Sequence, residues 1–349
     1  MLAPDDSRQE DDMKTLQMVL PEPGPPEVIE PRLVELGSLA PGQARVRVEV
    51  TGVSFAEQSM RRGKYYQQPP FPLVPGYDLV GVVDEFGSSS GSLRVGQRVA
   101  ALTKVGGWAR HVVLDADDLV PVPDGVDPRA AETVIVNGLT ALRVLRLIDA
   151  PRGAPVVVLG AAGGVGSILV QLALHAGLEV IGTAGPSQPE RLRHLGVVPV
   201  DYRSEDVGAR VRELAPDGVA GVVDHVGGPG VTTSWRMLAR GGRLVSLSDL
   251  GVIDAKHPMV PFLRLFLRLQ AWNLLPNGRH ATFFDIWSGH RDLATYRRRL
   301  ASDLQTLFAH LAAGEITAPV DSVYPLEQAA AALRRAEQGG LAGKILLEP

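Results

Sequence analysis

Residues 155–185 read PVVVLGAAGGVGSILVQLALHAGLEVIGTAG. A continuous apolar run at 156–159 precedes a glycine-rich turn at 160–166, and an apolar helical segment leads from that turn to a second apolar run at 180–181. A strand, a glycine turn, a helix and a strand within about 30 residues predict a βαβ unit in a parallel sheet that is buried on both faces. The backbone of such a turn can approach a pyrophosphate, and the N–H groups at the start of the helix can bind it.

Outside this unit the sequence divides into a β-rich part and a part in which strands and helices alternate. Residues 45–55 alternate valines with charged residues, which is typical of a half-buried strand. Short β-like runs at 77–87, 97–103 and 108–114 follow between Gly- and Pro-rich turns, and predict a small barrel or sandwich. The periodicity of residues 128–148 predicts a helix. The later predicted elements are helices at 189–195, 204–214, 231–239, 292–313 and 326–338, and strands at 197–202, 221–227, 242–248 and 343–349.

The composition excludes several functional classes. The 349 residues carry 35 Lys and Arg against 39 Asp and Glu, so no basic excess can neutralise a nucleic acid, and we expect no nucleic-acid partner. The chain has no cysteine, which excludes disulfides, a thiolate nucleophile, cysteine-bound zinc and iron–sulfur clusters. Its eight histidines include no i, i+4 pair on one helix face, so we expect no metal site.

The N-terminal residues 1–14 are acidic, with five carboxylates before Met13 and no apolar run. A secretory signal needs a basic start followed by an apolar segment, so we predict a disordered acidic tail instead. No apolar run elsewhere reaches the ~18 residues that a membrane-spanning helix needs. We therefore expect a cytoplasmic protein.

The end of the second strand of the βαβ unit bears on the choice of dinucleotide. Enzymes that use NAD commonly place Asp or Glu there, whereas this strand ends near Thr183 and the next carboxylate is Glu190. Arg191 and Arg193 follow, although we interpret Arg193 as part of a solvated helix face. Because a carboxylate would repel a 2′-phosphate and a cation attracts it, the sequence favours NADPH.

Ten short stretches occur in an order that one protein superfamily shares. They are GVSFAEQSMRRGKY at 52–65, FPLVPGYDLVGVV at 71–83, VGQRVAAL at 95–102, GGWARHVVL at 106–114, NGLTALRVL at 137–145, LGAAGGVG at 159–166, GTAG at 182–185, VVDHVGG at 222–228, GGRLVSL at 241–247 and AGKILLEP at 342–349. Through these stretches the chain resembles the medium-chain dehydrogenase/reductase superfamily, and within it the zinc-free quinone oxidoreductase branch. The resemblance runs from about residue 15 to the C-terminus.

The resemblance implies an α/β fold in which a Rossmann doubly wound parallel sheet is inserted into a chaperonin-10-like (GroES-like) β-barrel catalytic domain. We expect the first part of the catalytic domain at 15–136, the Rossmann NADP-binding domain at 137–276, and the second part of the catalytic domain at 277–349. Zinc-dependent members carry a histidine ligand where this chain has Tyr77, which implies a zinc-independent reductase. The substrate implied is a quinone or an α,β-unsaturated carbonyl compound, with NADPH as cofactor.

The resemblance and the strand ends together suggest the residues of the site. Tyr65 matches a tyrosine of the family's substrate cleft, and Ser54 stands where the family commonly has asparagine near the nicotinamide; both are candidate catalytic residues. The family's lysine near the 2′-phosphate is missing, and Arg191 is its expected substitute. Each candidate is also compatible with a turn or packing role. The expected cofactor-binding residues are Asn137, Thr140, Ala161, Gly163, Gly164, Val165, Gly166, Thr183, Ser187, Arg191, Tyr202, Val226, Gly227, Ser246, Ser248, Phe283, Phe284 and Lys344.

Residues 260–287 are unusually apolar, with Arg264 and Arg268 four residues apart. We interpret this segment first as an amphipathic helix that covers the cleft or packs at a dimer interface. A second interpretation is a lid that selects a bulky hydrophobic substrate, and the third is shallow contact with a membrane.

Two other functions stay open at this point. The same scaffold suits a biosynthetic tailoring reductase or cyclase that acts on a large polyketide-like substrate. Loss of the family's asparagine and lysine also fits a non-catalytic NADP(H)-binding redox sensor. Members of the family usually dimerise through the edge of the Rossmann sheet, so we expect a homodimer by analogy.

Overall fold

The computed structural model describes residues 13–88, 91–247 and 259–349, which form a six-stranded parallel sheet, a mostly antiparallel seven-stranded sheet and a small antiparallel sheet of two strands. The strands are β1 (Met13–Val19), β2 (Glu30–Leu36), β3 (Gln43–Val53), β4 (Asp78–Phe86), β5 (Arg98–Leu102), β6 (His111–Asp115), β7 (Val120–Pro121), β8 (Pro155–Val158), β9 (Glu179–Ala184), β10 (Val198–Asp201), β11 (Val219–Asp224), β12 (Leu238–Ser246), β13 (His280–Phe283), β14 (Val320–Pro325) and β15 (Lys344–Glu348). The helices are α1 (Phe55–Arg61), α2 (Pro128–Thr133), α3 (Leu139–Ile148), α4 (Gly164–His175), α5 (Pro189–His194), α6 (Val207–Leu214), α7 (Val231–Met237), α8 (Met259–Asn273), α9 (Leu293–Ala312) and α10 (Ala329–Glu337).

The parallel sheet has the doubly wound order β10-β9-β8-β11-β12-β13, and every neighbouring pair in it is parallel. The chain moves outward from β8 in one direction through β9 and β10, and in the other direction through β11, β12 and β13. The order therefore reverses between β8 and β11, which is where such sheets bind ligands. The glycine turn at 160–166 follows β8 directly and lies at this switch point.

The parallel sheet extends past residue 276, where the sequence places the end of this domain. His280–Phe283 pairs with β12 from Arg243 to Ser246 and forms the sixth strand. The apolar pattern of 260–287 concealed this short strand, because the apolar helix Met259–Asn273 lies only a few residues before it.

The second sheet has the order β14-β15-β3-β4-β5-β7, with β6 also paired to β3. Its strand β15 comes from the C-terminus and pairs antiparallel with β3, placing Ile345 opposite Val53. The N- and C-terminal parts of the chain therefore form one sheet, and the Rossmann part is inserted between them. This confirms the fold class expected from the sequence.

Among the elements that differ from the sequence prediction, two bear on the site or on the chain start. The helical segment 128–148 is divided by a wider π-helical turn at Val134–Gly138, where a Cβ atom on Gly138 would lie 2.8 Å from Cβ of Val134. Such turns often occur at functional sites, and this one carries Asn137. At the other end of the chain, β1 begins at Met13, inside the predicted tail, while residues 1–12 lie outside the described part.

The main hydrophobic core is continuous between the two sheets. Val50 and Val80 of the barrel belong to the same buried cluster as Leu139 of α3 and Val158 of the parallel sheet. This shared core fixes the two parts on either side of a cleft. Among the described residues, no helix combines the length and the apolar character needed to cross a membrane.

Candidate functional site

A cleft of about 470 Å³ lies between the barrel and the carboxyl ends of the parallel strands. Of the residues expected from the sequence, those that line it are Ser54, Tyr65, Asn137, Thr140, Gly163, Gly164, Val165, Gly166, Phe283, Phe284 and Lys344. The described ones outside its walls are Ala161, Thr183, Ser187, Arg191, Tyr202, Val226, Gly227 and Ser246. Ser248 lies outside the described residues.

The glycine turn is held so closely that side chains are excluded from it. Gly160 has a φ of +64°, and a Cβ atom there would lie 2.2 Å from Cε1 of His225. A Cβ atom on Gly166 would lie 2.2 Å from the carbonyl oxygen of Gly160. The backbone N–H of Gly160 donates to Oγ1 of Thr183 at 2.9 Å. The buried Thr183 therefore supports the turn from below, rather than facing the cleft.

The surface above the turn fits the pyrophosphate of a dinucleotide. Helix α4 begins at Gly164, and the first N–H groups of a helix have no acceptor within it. The backbone of Gly163 is extended, so the chain enters the helix with these groups along the cleft wall. A Cβ atom on Gly164 would lie 2.7 Å from Nδ2 of Asn137, so glycine keeps this wall open.

Residues near the end of β9 lie where the adenosine end of a dinucleotide would extend. Tyr202 is exposed, and its hydroxyl lies 3.5 Å from the position of a Cβ atom on Gly185. Arg191 donates from Nη1 to the carbonyl of Ala342 at 3.0 Å. Ser187 is exposed beside this end of the strand. Arg191 and Tyr202 thus remain candidates for 2′-phosphate recognition, and the structure adds a bond from Arg191 to the C-terminal part.

The ends of β11 and β12 are fixed by local hydrogen bonds. A carboxylate oxygen of Asp224 accepts the N–H groups of Val226 at 2.8 Å and Gly227 at 2.9 Å. The buried Ser246 accepts the N–H of Phe284 at its carbonyl, at 2.8 Å. These contacts shape the loops on which the cleft depends, and they place Phe283 and Phe284 in its wall.

A cluster of aromatic hydroxyl and indole groups lines the barrel side of the cleft. The hydroxyl oxygens of Tyr65 and Tyr77 are 2.7 Å apart, and the indole N–H of Trp287 donates to the Tyr77 hydroxyl. Burial raises the pKa of Tyr65 to about 12 and also raises the pKa of Tyr77. Both phenols are therefore protonated at neutral pH and can donate hydrogen bonds.

A neighbouring pair closes one side of this cluster. The hydroxyl of Tyr66 donates to Oδ1 of Asp285 at 2.9 Å, and the backbone N–H of Trp287 reaches the same oxygen at 3.0 Å. The rings of Tyr65 and Tyr66 are 4.9 Å apart. Asp285 thus fixes Tyr66 and Trp287 together, and through Trp287 it holds the Tyr77 hydroxyl in place.

Ser54 occupies the N-cap of helix α1. Its hydroxyl donates to Oε2 of Glu57 and accepts the N–H of Ala56 at 3.1 Å, and its own N–H donates to Glu57 at 2.8 Å. The other oxygen of the buried Glu57 accepts the N–H of Tyr77 at 2.8 Å. Although Ser54 lines the cleft, its hydroxyl is engaged in this cap. The structure therefore gives Ser54 a positioning role, acting on Tyr77 through Glu57.

Lys344 reaches the edge of the cleft, but its ammonium group points into the barrel. It donates to Asp78 and, at 2.8 Å, to Glu132, and all three side chains are at most 1% exposed. Burial alone would lower the pKa of Lys344, but the charges of Asp78 and Glu132 outweigh it and raise the pKa. Burial, followed by the charge of Asp78, raises the pKa of Glu132. The ammonium is thus engaged by carboxylates rather than exposed to a cofactor.

Among the cleft residues that were absent from the expected site are Tyr77, His225 and Asp285; Trp287 is not part of the lining, but it donates to the Tyr77 hydroxyl. His225 directly follows β11, so the strand-end argument that selected Val226 could have included it. Burial lowers the pKa of His225, which keeps its imidazole neutral at neutral pH. Asp285 directly follows Phe283 and Phe284, so the resemblance that selected those two residues could have included it, whereas Trp287 carried no comparable signal.

One group of side chains outside the cleft departs from the expectation of scattered histidines. His175 is the last residue of α4 and His310 lies in the last turn of α9, and their rings are 5.2 Å apart. Nδ1 of His310 lies 2.5 Å from Oε2 of Glu315, and Nε2 of His175 lies 3.8 Å from the same atom. A search for i, i+4 pairs on one helix cannot find such a group, since its members come from separate elements.

Comparison with known protein families gives two matches. Residues 40–124 match the alcohol dehydrogenase GroES-like domain, and residues 195–347 match a family described as zinc-binding dehydrogenase. The human synaptic vesicle membrane protein VAT-1 homolog is 30% identical over 321 residues, which is 88% of this chain and 79% of that protein.

Two solved structures are similar to this chain over almost its whole length. A quinone oxidoreductase of Pseudomonas syringae pv. Tomato DC3000 is 27% identical with a TM-score of 0.82, and the match covers 97% of this chain and 100% of that one. A mycobacterial protein solved in complex with NADPH is 28% identical with a TM-score of 0.79, covering 96% and 100% of the two chains.

Proposed function

Because the chain belongs to the medium-chain dehydrogenase/reductase superfamily, in its zinc-free quinone oxidoreductase branch, we propose that it is an NADPH-dependent reductase of quinones or α,β-unsaturated carbonyl compounds. When bound, NADPH supplies a hydride, which together with a proton from water converts a quinone into a hydroquinone or an enone into a saturated ketone. The relative solved with NADPH and the related quinone oxidoreductase support this cofactor and this class of acceptor.

The observation that carries the proposal is that the glycine turn and Tyr65 face the same cleft. The turn and the start of α4 would hold the pyrophosphate, and Asn137 and Thr140 line the wall on the same side. Tyr65 and its partners form the opposite, barrel side. A dinucleotide and a flat acceptor can therefore lie next to each other between the two parts of the chain.

On the barrel side, Tyr65 is the proposed catalytic residue. Its protonated hydroxyl would donate a hydrogen bond to the acceptor's carbonyl oxygen, where negative charge develops. The indole N–H of Trp287 donates to the Tyr77 hydroxyl oxygen, so the Tyr77 O–H can donate a hydrogen bond to the Tyr65 oxygen. The Tyr65 O–H then remains available for the substrate. Tyr77 and Trp287 are positioning residues in this arrangement.

The preferred acceptors follow from the residues at this position. Tyr77 stands where zinc-dependent members have a histidine ligand, and the chain has no cysteine. Hydrogen bonds from phenols stabilise an oxyanion less than a Lewis acid does, so we expect acceptors that are already electron-poor. Quinones and enones meet this requirement.

Cofactor binding and turnover together test the proposal. We expect NADPH to bind more tightly than NADH in calorimetric titrations, and we expect NADPH oxidation with 1,4-benzoquinone or a simple enone. Binding of NADPH without turnover of either acceptor would favour a specialised biosynthetic substrate or a redox sensor. Binding of neither dinucleotide would refute the proposed function.

A further inference from the structure

A second cavity, of about 420 Å³, adjoins the cleft. Four residues line both spaces and so form the wall between them: Tyr66, Phe262, Phe283 and Asp285. The remaining lining residues of the second cavity come almost entirely from helix α8. We call this second cavity the side groove.

The shared wall consists mainly of aromatic rings. The rings of Tyr66 and Phe262 stack at 5.9 Å, and Phe262 meets Phe283 edge to face at 5.2 Å. The polar contacts of this wall are at Asp285, which accepts the Tyr66 hydroxyl and the backbone N–H of Trp287. Rotation of the Phe262 ring would join the cleft to the side groove and leave both of these hydrogen bonds in place.

Helix α8 supplies an apolar face to the side groove. Met259, Phe262, Leu263 and Phe266 recur at the three- and four-residue spacing of one helical face, and all four line the groove. Leu263 is 54% exposed and Phe266 43% exposed. Exposed apolar side chains in such a cluster mark a binding surface more often than isolated ones do.

Within the described part of the chain, helix α8 is attached through a face other than the one that lines the groove. Only Leu265 and Leu269 are buried among the described side chains of the helix, and both belong to the core cluster beneath the parallel sheet. Trp272 stacks on Trp235 at 4.9 Å and anchors the end of the helix. The anchored face and the groove face are thus different sides of α8.

We propose that the side groove binds the apolar tail of the substrate whose carbonyl head lies in the cleft. The inference rests on the proposed function and narrows its substrate class to quinones or enones that carry a long alkyl chain. Continuity argues for this occupant, because the groove shares its wall with the cleft, and its other lining is mostly apolar, with Gln270 and Thr282 as the polar exceptions. A tail that crosses the Tyr66–Phe262 wall would cover Leu263 and Phe266.

Two acceptors with the same head group test the proposal: 1,4-benzoquinone and its decyl-substituted form. We expect kcat/KM for the decyl quinone to exceed that for benzoquinone at least tenfold. The Leu263→Glu variant places a charge in the groove and should abolish this preference, while kcat/KM for benzoquinone stays within about twofold. In the absence of NADPH, the affinity of this variant for the decyl quinone, measured by calorimetry, should also be at least tenfold lower than that of the unmodified protein.

Leu267→Glu is the matched control, because Leu267 lies on the same helix, is 57% exposed and is not part of the groove. We expect it to behave as the unmodified protein with both quinones. Equal kcat/KM values for the two quinones would overturn the proposal. Equal effects of the Leu263→Glu and Leu267→Glu substitutions on the decyl quinone would also overturn it, since they are expected if the face binds a lipid surface or a second copy of the chain. Failure to reduce either quinone would instead contradict the proposed function.

Discussion

The proposed chemistry depends most on the hydroxyl group of Tyr65. Tyr65→Phe removes this donor and keeps the ring, so we expect kcat/KM for a simple enone to fall roughly 100-fold. NADPH affinity should stay unchanged, since the hydroxyl lies on the barrel side of the cleft. Tyr324→Phe is the control, because Tyr324 lies on β14 outside the cleft. A Tyr65→Phe variant with unchanged kcat/KM would remove Tyr65 from the mechanism.

The protonation of Tyr65 makes a separate prediction. Burial raises its pKa from 10.0 to about 12 in the folded chain. The stability linked to this shift is complete below the unfolded pKa of 10.0 and is lost as the pH rises towards 12. From about pH 9 to about pH 11, the free energy of unfolding should therefore fall more steeply with pH in the unmodified protein than in Tyr65→Phe. Beyond pH 10, the difference between the two slopes should reach up to ~1.4 kcal/mol per pH unit. Parallel curves from urea unfolding would contradict the shift.

Arg191 makes a prediction about cofactor choice. If its guanidinium binds the 2′-phosphate, Arg191→Ala should weaken NADPH binding about tenfold and leave NADH binding unchanged, since NADH lacks that phosphate. Arg193→Ala is the control, because Arg193 is paired with Glu190 on the exposed side of the same helix. Titrations of both variants with both dinucleotides measure the effect. Equal losses for NADPH and NADH would exclude this role for Arg191.

At the scale of elements, the glycine turn joins β8 to α4 by close packing. Gly166→Ala would place a Cβ atom 2.2 Å from a backbone oxygen, whereas at Gly163 the nearest atom is 3.4 Å away. We expect Gly166→Ala to lower the free energy of unfolding by about 1–3 kcal/mol without ligand, and Gly163→Ala to leave it nearly unchanged. Chemical denaturation of both variants provides the comparison. Equal stabilities would show that the helix does not pack on the turn as described.

The elements themselves were largely predictable from the sequence. The apolar run at 156–159, the glycine turn and the next run at 180–181 each correspond to observed elements, because a buried parallel strand needs a continuous apolar run. The π-helical turn at Val134–Gly138 was not predictable, since its residues keep the apolar character of the helices around it. Local patterns identify the kind of element, while tertiary packing decides such interruptions.

At the scale of the whole molecule, Lys344 joins distant parts of the chain. It lies on the C-terminal strand and binds Asp78 of β4 and Glu132 of α2. Lys344→Met would leave two buried carboxylates without a cation, which we expect to cost about 3–5 kcal/mol of unfolding free energy. Lys14→Met, at an exposed ion pair, should change it by less than about 0.5 kcal/mol. Similar melting temperatures for the two variants would contradict the structural role of Lys344.

The packing of the whole molecule explains why some site residues could not be identified from the sequence. Trp287 meets the Tyr77 hydroxyl only because the C-terminal part returns to the barrel, so no local pattern connects these two residues, whereas Tyr65 was expected from the sequence. The glycine turn was identifiable because all of its determinants lie within one βαβ unit. Lys344 and Ser54 were selected by position alone, and the structure shows that buried carboxylates engage both side chains.

Transfer of deuterium from the cofactor to an enone tests whether the cleft transfers hydride. The protein would be incubated with a simple enone and NADPH that carries deuterium at both C4 positions, and the product would be analysed by mass spectrometry and NMR. We expect a saturated ketone with one deuterium on its β-carbon, formed only in the presence of the protein. Product without deuterium, or no consumption of NADPH with any enone or quinone, would contradict a hydride-transferring cleft.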